Sequence, residues 1–440
     1  MVMAGQFYLV PGIWSTNLIS RPNIEQGIPR PYLRFTLVMC NYNSMRKLQD
    51  IPSRLSRITS SGRFIPEVDG FRFVAILPVV IQHISERVQR YSEVQWAQPI
   101  KQDSVAFLAS RGTIGVYIFF AISGFILSLP FAKYWLKGEK KVSLKSYFWR
   151  RVTRLEPPYI IWMTVFFLVL FVQGTYGFGE LFAHYGASVF YLHNVIYGEY
   201  SVINPVAWSL EIEIQFYLLA PLLTFLFFSI RLKWLRRLSI LGGILILIGL
   251  QHQFGWYQST AKLSILCQLQ HFLVGFFLTD LYLTESKVKP RTNHWFFDGL
   301  AVLSFFVLAF SWSEEWNKNL VFSASLIIFF LTAYHGQISL YFLRNRWITA
   351  IGGMCYTIYL IHLPLVEGLV RLTKHLTFTN IFSINLLLQF LLMTPIILAF
   401  SIFGFLLLEK PCMDKNWPAK LSAWWSNARR NSLILKKVEP

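Results

Sequence analysis

Apolar residues along this chain come in runs of about twenty, separated by short polar or basic stretches, not in the narrow stripes of helices packed on a water-soluble core. Eleven such blocks stand out, at 69–88, 112–132, 156–173, 180–197, 206–230, 237–253, 263–284, 294–312, 319–336, 349–370 and 383–408. Basic clusters fall between them: Lys133 to Arg154, Arg231 to Arg237, Lys287 to Arg291, Arg344 with Arg346, and the stretch after Lys410. Cytoplasmic loops collect Lys and Arg, so all of these should lie on one side. If every block crossed, the Arg231 cluster would face outward. Leaving out one block between 155 and 230 places every basic cluster inside and Glu314-Glu315 outside. The block to leave out is 180–197, which carries His184, His193 and Asn194 and suits a re-entrant segment shielded by protein or a water cavity. The pattern predicts an all-α fold: a polytopic membrane bundle of about ten transmembrane helices plus one shorter re-entrant segment, with both termini cytoplasmic.

Composition agrees with a bilayer setting. The 440 residues are 54% hydrophobic and 14% charged, and mean hydropathy is +0.45. A net charge of +19 would suggest nucleic acid in a soluble chain, but here the cations sit between hydrophobic blocks, and no nucleic-acid partner is expected. Cys40, Cys267, Cys355 and Cys412 show no paired or metal-ligand spacing, so neither disulfide nor metal is expected. Residues 1–66 read as a basic, irregular cytoplasmic tail, 67–411 as the membrane domain and 412–440 as a short basic tail. The basic run after Met45 makes that methionine an alternative natural start.

Within the first block, Arg72 and His83 are eleven residues apart. On a helix that is roughly 16 Å along the axis and only about 20° around it, so both side chains leave the same face. Ionisable groups at membrane depth are expensive and mark functional sites. His83 has the chemistry of a general base for a weak nucleophile such as a hydroxyl. The competing reading is a histidine hydrogen-bonded within the bundle, with Arg72 merely snorkelling to the interface. Arg151 and Arg154 share a helix face before the third block and suit a phosphate or pyrophosphate; flanking charge that only sets topology is the alternative. Pro157-Pro158 reads as the start of that helix.

Glu213 falls in the block that includes Trp208, at an expected depth matching His83, where it would orient the imidazole or hold a substrate hydroxyl. Glu211, about 160° away on the helix wheel, reads as solvated or structural. Ala121, Ser123 and Gly124 let helices approach closely. His362, with Tyr359 and Pro364, either lines the same cavity or caps a kinked helix. No serine-hydrolase elbow, zinc motif or P-loop occurs.

Taken together, Asp69-Gly-Phe-Arg72 with Arg-x10-His83, Gly115-Val with Phe119-Phe120 and Ser123-Gly124, Arg151-x-x-Arg154 before Pro157-Pro158, Leu192-His-Asn194, Trp208-Ser-Leu with Glu213 and Phe216-Tyr217, and Tyr356 to Pro364 resemble the bacterial integral-membrane acyltransferase 3 family. The resemblance runs from about 67 to 411. It implies a ten-helix fold and transfer of an acyl group from acyl-CoA, usually acetyl-CoA, engaged from the cytoplasm, to a hydroxyl of a glycan or lipid-linked acceptor. It assigns His83 the catalytic role and Arg72, Arg151 and Arg154 the donor side; the residues themselves suggest Glu213 as support for His83, and Ser123, Trp208, Tyr359 and His362 as candidate cavity residues. Tyr117 stands where the family commonly has an acidic residue, and Glu211 where it has a small one. Many relatives carry an extracytoplasmic hydrolase-like domain, so a second step would need another protein. A transporter or flippase is the competing class, because polar groups inside a bundle also mark solute pathways; no inverted repeat accompanies it. A non-catalytic sensor or scaffold is the third.

Overall fold

A computed structural model describes residues 51–58, 64–285, 295–414 and 416–420; the Lys287 to Arg291 cluster, most of the amino-terminal tail and the end of the carboxy-terminal tail lie outside them. Among the described residues the regular structure is helical: α1 (Pro66–Tyr91), α2 (Ile114–Lys137), α3 (Leu144–Gln173), α4 (Phe178–Val189), α5 (His193–Tyr197), α6 (Trp208–Phe228), α7 (Lys233–Gln253), α8 (Leu269–Thr284), α9 (Trp295–Ser311), α10 (Trp316–His335), α11 (Cys355–Thr373) and α12 (Phe382–Gly404), with shorter turns between them. Eight helices among the described residues are long and apolar enough to cross a bilayer; α9, at 17 residues, is apolar but shorter. The polytopic bundle follows. Of the ten crossings expected from the blocks, eight appear as helices of that length among the described residues and one as the shorter α9; block 263–284 spends its first residues in 3₁₀ turns and becomes α8 only at Leu269, 16 residues long. Block 180–197 breaks at Tyr191, whose φ is 58°, into the 12-residue α4 and the 5-residue α5. Twelve residues rise only about 18 Å, short of a hydrocarbon core of roughly 30 Å.

Large apolar side chains such as Leu218, Leu222, Phe310 and Phe403 point outward, as a lipid-facing surface requires. Inward, α2 and α8 touch backbone to backbone. A Cβ on Gly124 would sit 2.1 Å from Phe272 O, and one on Gly275 would sit 2.2 Å from Ala121 O. Small residues buy this approach, and Phe272 fills the flank by stacking on Phe120 and Phe216, with centroids 4.6 and 4.0 Å apart.

Two sequence expectations change. Helix α3 does not start at Pro157-Pro158; it starts at Leu144, capped by Ser143, and runs through both prolines. Pro157 has no N–H for the carbonyl of Thr153, and that carbonyl instead accepts a hydrogen bond from Trp417 Nε1 at 2.8 Å. In addition, Arg236 and Arg237 are not loop cations. They are buried at the start of α7 and clamp Asp280 of α8 at 2.5 and 2.8 Å.

Candidate functional site

Helix α1 is the spine of the site. Its first turn carries Asp69, 1% exposed, between two guanidinium groups: Arg72 Nη1 donates to Oδ1 at 2.8 Å and Arg57 Nε to Oδ2 at 2.9 Å. Arg72 is not closed off, since 16% of its side chain stays accessible. Burial and the neighbouring Arg72 push the Arg57 guanidinium down to about 10, a sign that positive charge is crowded here.

Glu213 joins this end, not the His83 end. Its Oε1 accepts Ser123 Oγ and Tyr217 Oη, both at 2.7 Å, and its charge acts on Arg72 and on Arg151. The sequence placed it beside His83 by counting residues from the membrane surface, whereas α6 meets α2 at Ser123, nine residues into that helix, where the Glu213 carboxylate is near enough to act on Arg72. Arg151 lies over the Tyr147 ring at 3.6 Å and nearer than 6 Å to Tyr217. Arg154 turns the other way, towards Arg57 and Glu409. The two forks therefore do not grip one point; they flank the same basin from two sides. A π turn, Phe405–Glu409, at the end of α12 carries Glu409 inward to Thr357, whose hydroxyl donates to Oε2 at 2.6 Å. Four guanidinium groups, Arg57, Arg72, Arg151 and Arg154, thus face three carboxylates, Asp69, Glu213 and Glu409. Among the described residues the buried Nε atoms of Arg151 and Arg154 have no partner, so both retain unused donors.

At the far end of the same face, His83 Nδ1 lies 2.9 Å from Glu86 Oε2. A carboxylate only accepts, so Nδ1 carries the hydrogen and the lone pair sits on Nε2. Gln82 and Arg87 also donate to Glu86, at 2.7 and 3.2 Å, and Arg87 reaches Glu367 at 2.8 Å. The His83 side chain is 19% accessible, so no aliphatic wall encloses it. Its ring faces that of His362, with centroids 5.2 Å apart. His362 is fully buried; its Nδ1 is 2.7 Å from Tyr359 O and 3.0 Å from Ile358 O, and its Nε2 has no partner among the described residues. The Nδ1 contacts are those of a side chain tied to its own helix, as the cap alternative expects. Tyr359 Oη donates to Val206 O at 2.8 Å and pairs with Ser209 Oγ at 2.7 Å, linking α11 to α6. Trp208 packs edge-on to Phe120, with centroids 6.3 Å apart, and its carbonyl accepts Asn194 Nδ2 at 2.9 Å. Glu211 is structural: fully buried, it accepts the backbone N–H of Asn194 at 2.8 Å and ties α5 to α6.

Sequence reading missed Glu86, Arg57 and Glu409. Glu86 was within reach of it, because residues three apart share a helix face. Arg57 and Glu409 come from outside the first block and carry no local signal.

The described geometry is a chain of polar groups inside a lipid-facing bundle, dense in guanidinium at one end and ending in a carboxylate-backed imidazole. The family model described as Acyltransferase domain matches residues 65–408, most of the chain. This chain belongs to the acyltransferase 3 family. It is similar to the O-acetyltransferase OatA of Staphylococcus aureus, with 26% identity over 339 residues, covering 70% of this chain and 51% of that protein. It is also similar to the peptidoglycan O-acetyltransferase OatA of Listeria monocytogenes, with 29% identity over 204 residues, covering 43% of this chain and 28% of that protein. The chain therefore spans about half the length, or less, of these curated relatives. No solved structure gives a significant match.

Proposed function

We propose that this acyltransferase 3 chain is a plasma-membrane O-acetyltransferase that moves an acetyl group from acetyl-CoA to a hydroxyl of a cell-surface glycan or its lipid-linked precursor. Both termini are cytoplasmic, with the arginine basin at the inner face and His83 in the outer half of the membrane. The observation that carries this reading is the His83–Glu86 pair on the same helix face as Arg72, because it joins a base to an anion-binding basin along one line. The names of the two relatives support acetyl as the group and peptidoglycan-type sugar as the acceptor class.

The chemistry divides between the ends. Arg151, Arg154 and Arg72 bind the phosphates of the donor, and the thioester arm runs along α1 towards His83. His83 Nε2 takes the proton of the acceptor hydroxyl as its oxygen attacks the acyl carbon. The C–S bond breaks, the ester is released, and the proton on His83 passes to the departing thiolate. Glu86 keeps the imidazole in the required tautomer and stabilises its cationic form, the part that sequence reading had given to Glu213. His362 Nε2, an acceptor with no partner among the described residues, helps hold the incoming hydroxyl. Tyr359, Ser123 and Trp208 line the passage between the two ends.

Proteoliposomes given labelled acetyl-CoA and a glycan acceptor test the proposal. Donor-dependent labelling that is lost in His83→Ala, with the variant still monodisperse, is the expected result. Solute flux without donor consumption would replace it with transport.

A further inference from the structure

A cavity of about 560 Å³ is lined by Ile58, Leu406, Lys410, Pro411, Asp414, Trp417 and Lys420, all but Leu406 outside the family-matched residues 65–408. Its size falls in the roughly 300–1,000 Å³ range of small-molecule sites. Three features of its wall lie one residue away from the arginine basin. Ile58 follows Arg57, which is bound to Asp69. Lys410 follows Glu409, which is bound to Thr357. The indole of Trp417 is anchored on the carbonyl of Thr153, the residue before Arg154, and that carbonyl is free only because Pro157 cannot donate to it. The cavity wall is thus built from residues next to those of the basin.

Its chemistry is that of a nucleotide subsite. Trp417 offers an aromatic face whose N–H is already committed, which fixes the ring. Lys410 Nζ donates to Arg54 O and keeps further N–H donors, since an ammonium has three. Lys420 is balanced by Asp414 at 2.6 Å, so Lys410 is the stronger candidate for a phosphate. Ile58 and Leu406 supply an apolar flank for a base.

Resting on the donor assignment above, we infer that this cavity holds the adenosine phosphate end of the CoA donor, with the base on Trp417 and a phosphate on Lys410, while the pyrophosphate and thioester arm pass inward to Arg154 and Arg72.

The test compares acetyl-CoA with S-acetylpantetheine, which lacks the nucleotide, using the full chain in nanodiscs of neutral lipid. Trp417→Ala and Lys410→Ala should each raise KM for acetyl-CoA about tenfold, the effect of losing one stacking or phosphate contact, and leave kcat and the KM for S-acetylpantetheine unchanged. Trp417→Phe, which keeps a stacking face, should recover most of the loss. The assignment is overturned if acetyl-CoA KM does not move, or if both donors weaken equally, as a purely structural role would require. It is also overturned if the variants differ from the parent only in membranes containing anionic lipid, which would make the cavity a headgroup site. If the parent protein turns over acetyl-CoA normally while the variants fail to discriminate the donors, the subsite alone falls. If the parent neither binds nor consumes CoA thioesters, the donor assignment falls first and this inference with it.

Discussion

Glu86 Oε2 lies 2.9 Å from His83 Nδ1, one turn further along the same helix, and among the described residues no other carboxylate hydrogen-bonds that imidazole. Because Gln82 and Arg87 also donate to Glu86, the carboxylate is held in place and holds the ring in turn. Glu86→Gln presents the same shape without the charge, and an amide nitrogen can face Nδ1 and favour the wrong tautomer. We expect kcat to fall by about 10²–10³-fold, the scale of general-base effects, with donor KM little changed. Initial rates at saturating donor check this; a loss of less than threefold would remove Glu86 from the mechanism.

Glu213 makes a contrasting prediction. Its neighbours are Ser123, Tyr217 and the charges of Arg72 and Arg151, so its neutralisation should disturb the donor end. Glu213→Gln should shift donor KM about tenfold, since a hydrogen bond to a charged group is worth ~1.5–3 kcal/mol, and should affect kcat much less than Glu86→Gln does. A kcat loss as large as that of His83→Ala would return Glu213 to the His83 end.

Asp69 holds two guanidinium groups in a setting where it is itself only 1% exposed. Asp69→Asn leaves both cations without a full counter-charge, and breaking a buried pair in this way costs about 3–5 kcal/mol. Thermal unfolding in detergent should show a clear drop in midpoint. An unchanged midpoint would mean that water or lipid already screens the pair.

The α2–α8 contact predicts a size limit. Gly275→Ala forces a methyl group against Ala121 O and should destabilise by about 1–3 kcal/mol, whereas Gly242→Ala in α7 meets nothing within 4 Å and should be neutral or slightly stabilising. Parallel unfolding curves separate the two. Equal midpoints would show that α2 and α8 slide apart at little cost.

What the sequence made legible was governed by local rules. Twenty-residue apolar runs became helices because a bilayer leaves the backbone little choice, and Arg72 and His83 share a face because helical periodicity needs no partner. Errors arose where a distant element decides. The depth of Glu213 depends on how α6 crosses α2, and the divergence of Arg151 from Arg154 depends on Tyr217 of α6 for the first and Glu409 beyond α12 for the second. Arg236 and Arg237 read as loop charges until Asp280, more than forty residues later, draws them in. Pro157-Pro158 misled for a related reason: a tryptophan from the far end of the chain satisfies the carbonyl that the first of those prolines leaves open.

Helix α1 runs from Arg72 to His83 without a break in the helix, passing through Pro78 on the way. It therefore gauges its donor. A thioester tethered to an anionic group by a linker shorter than that interval, roughly 16 Å by helical rise, cannot engage both landmarks at once, so the protein would select acyl carriers by the length of their arm before it reads the acyl group itself.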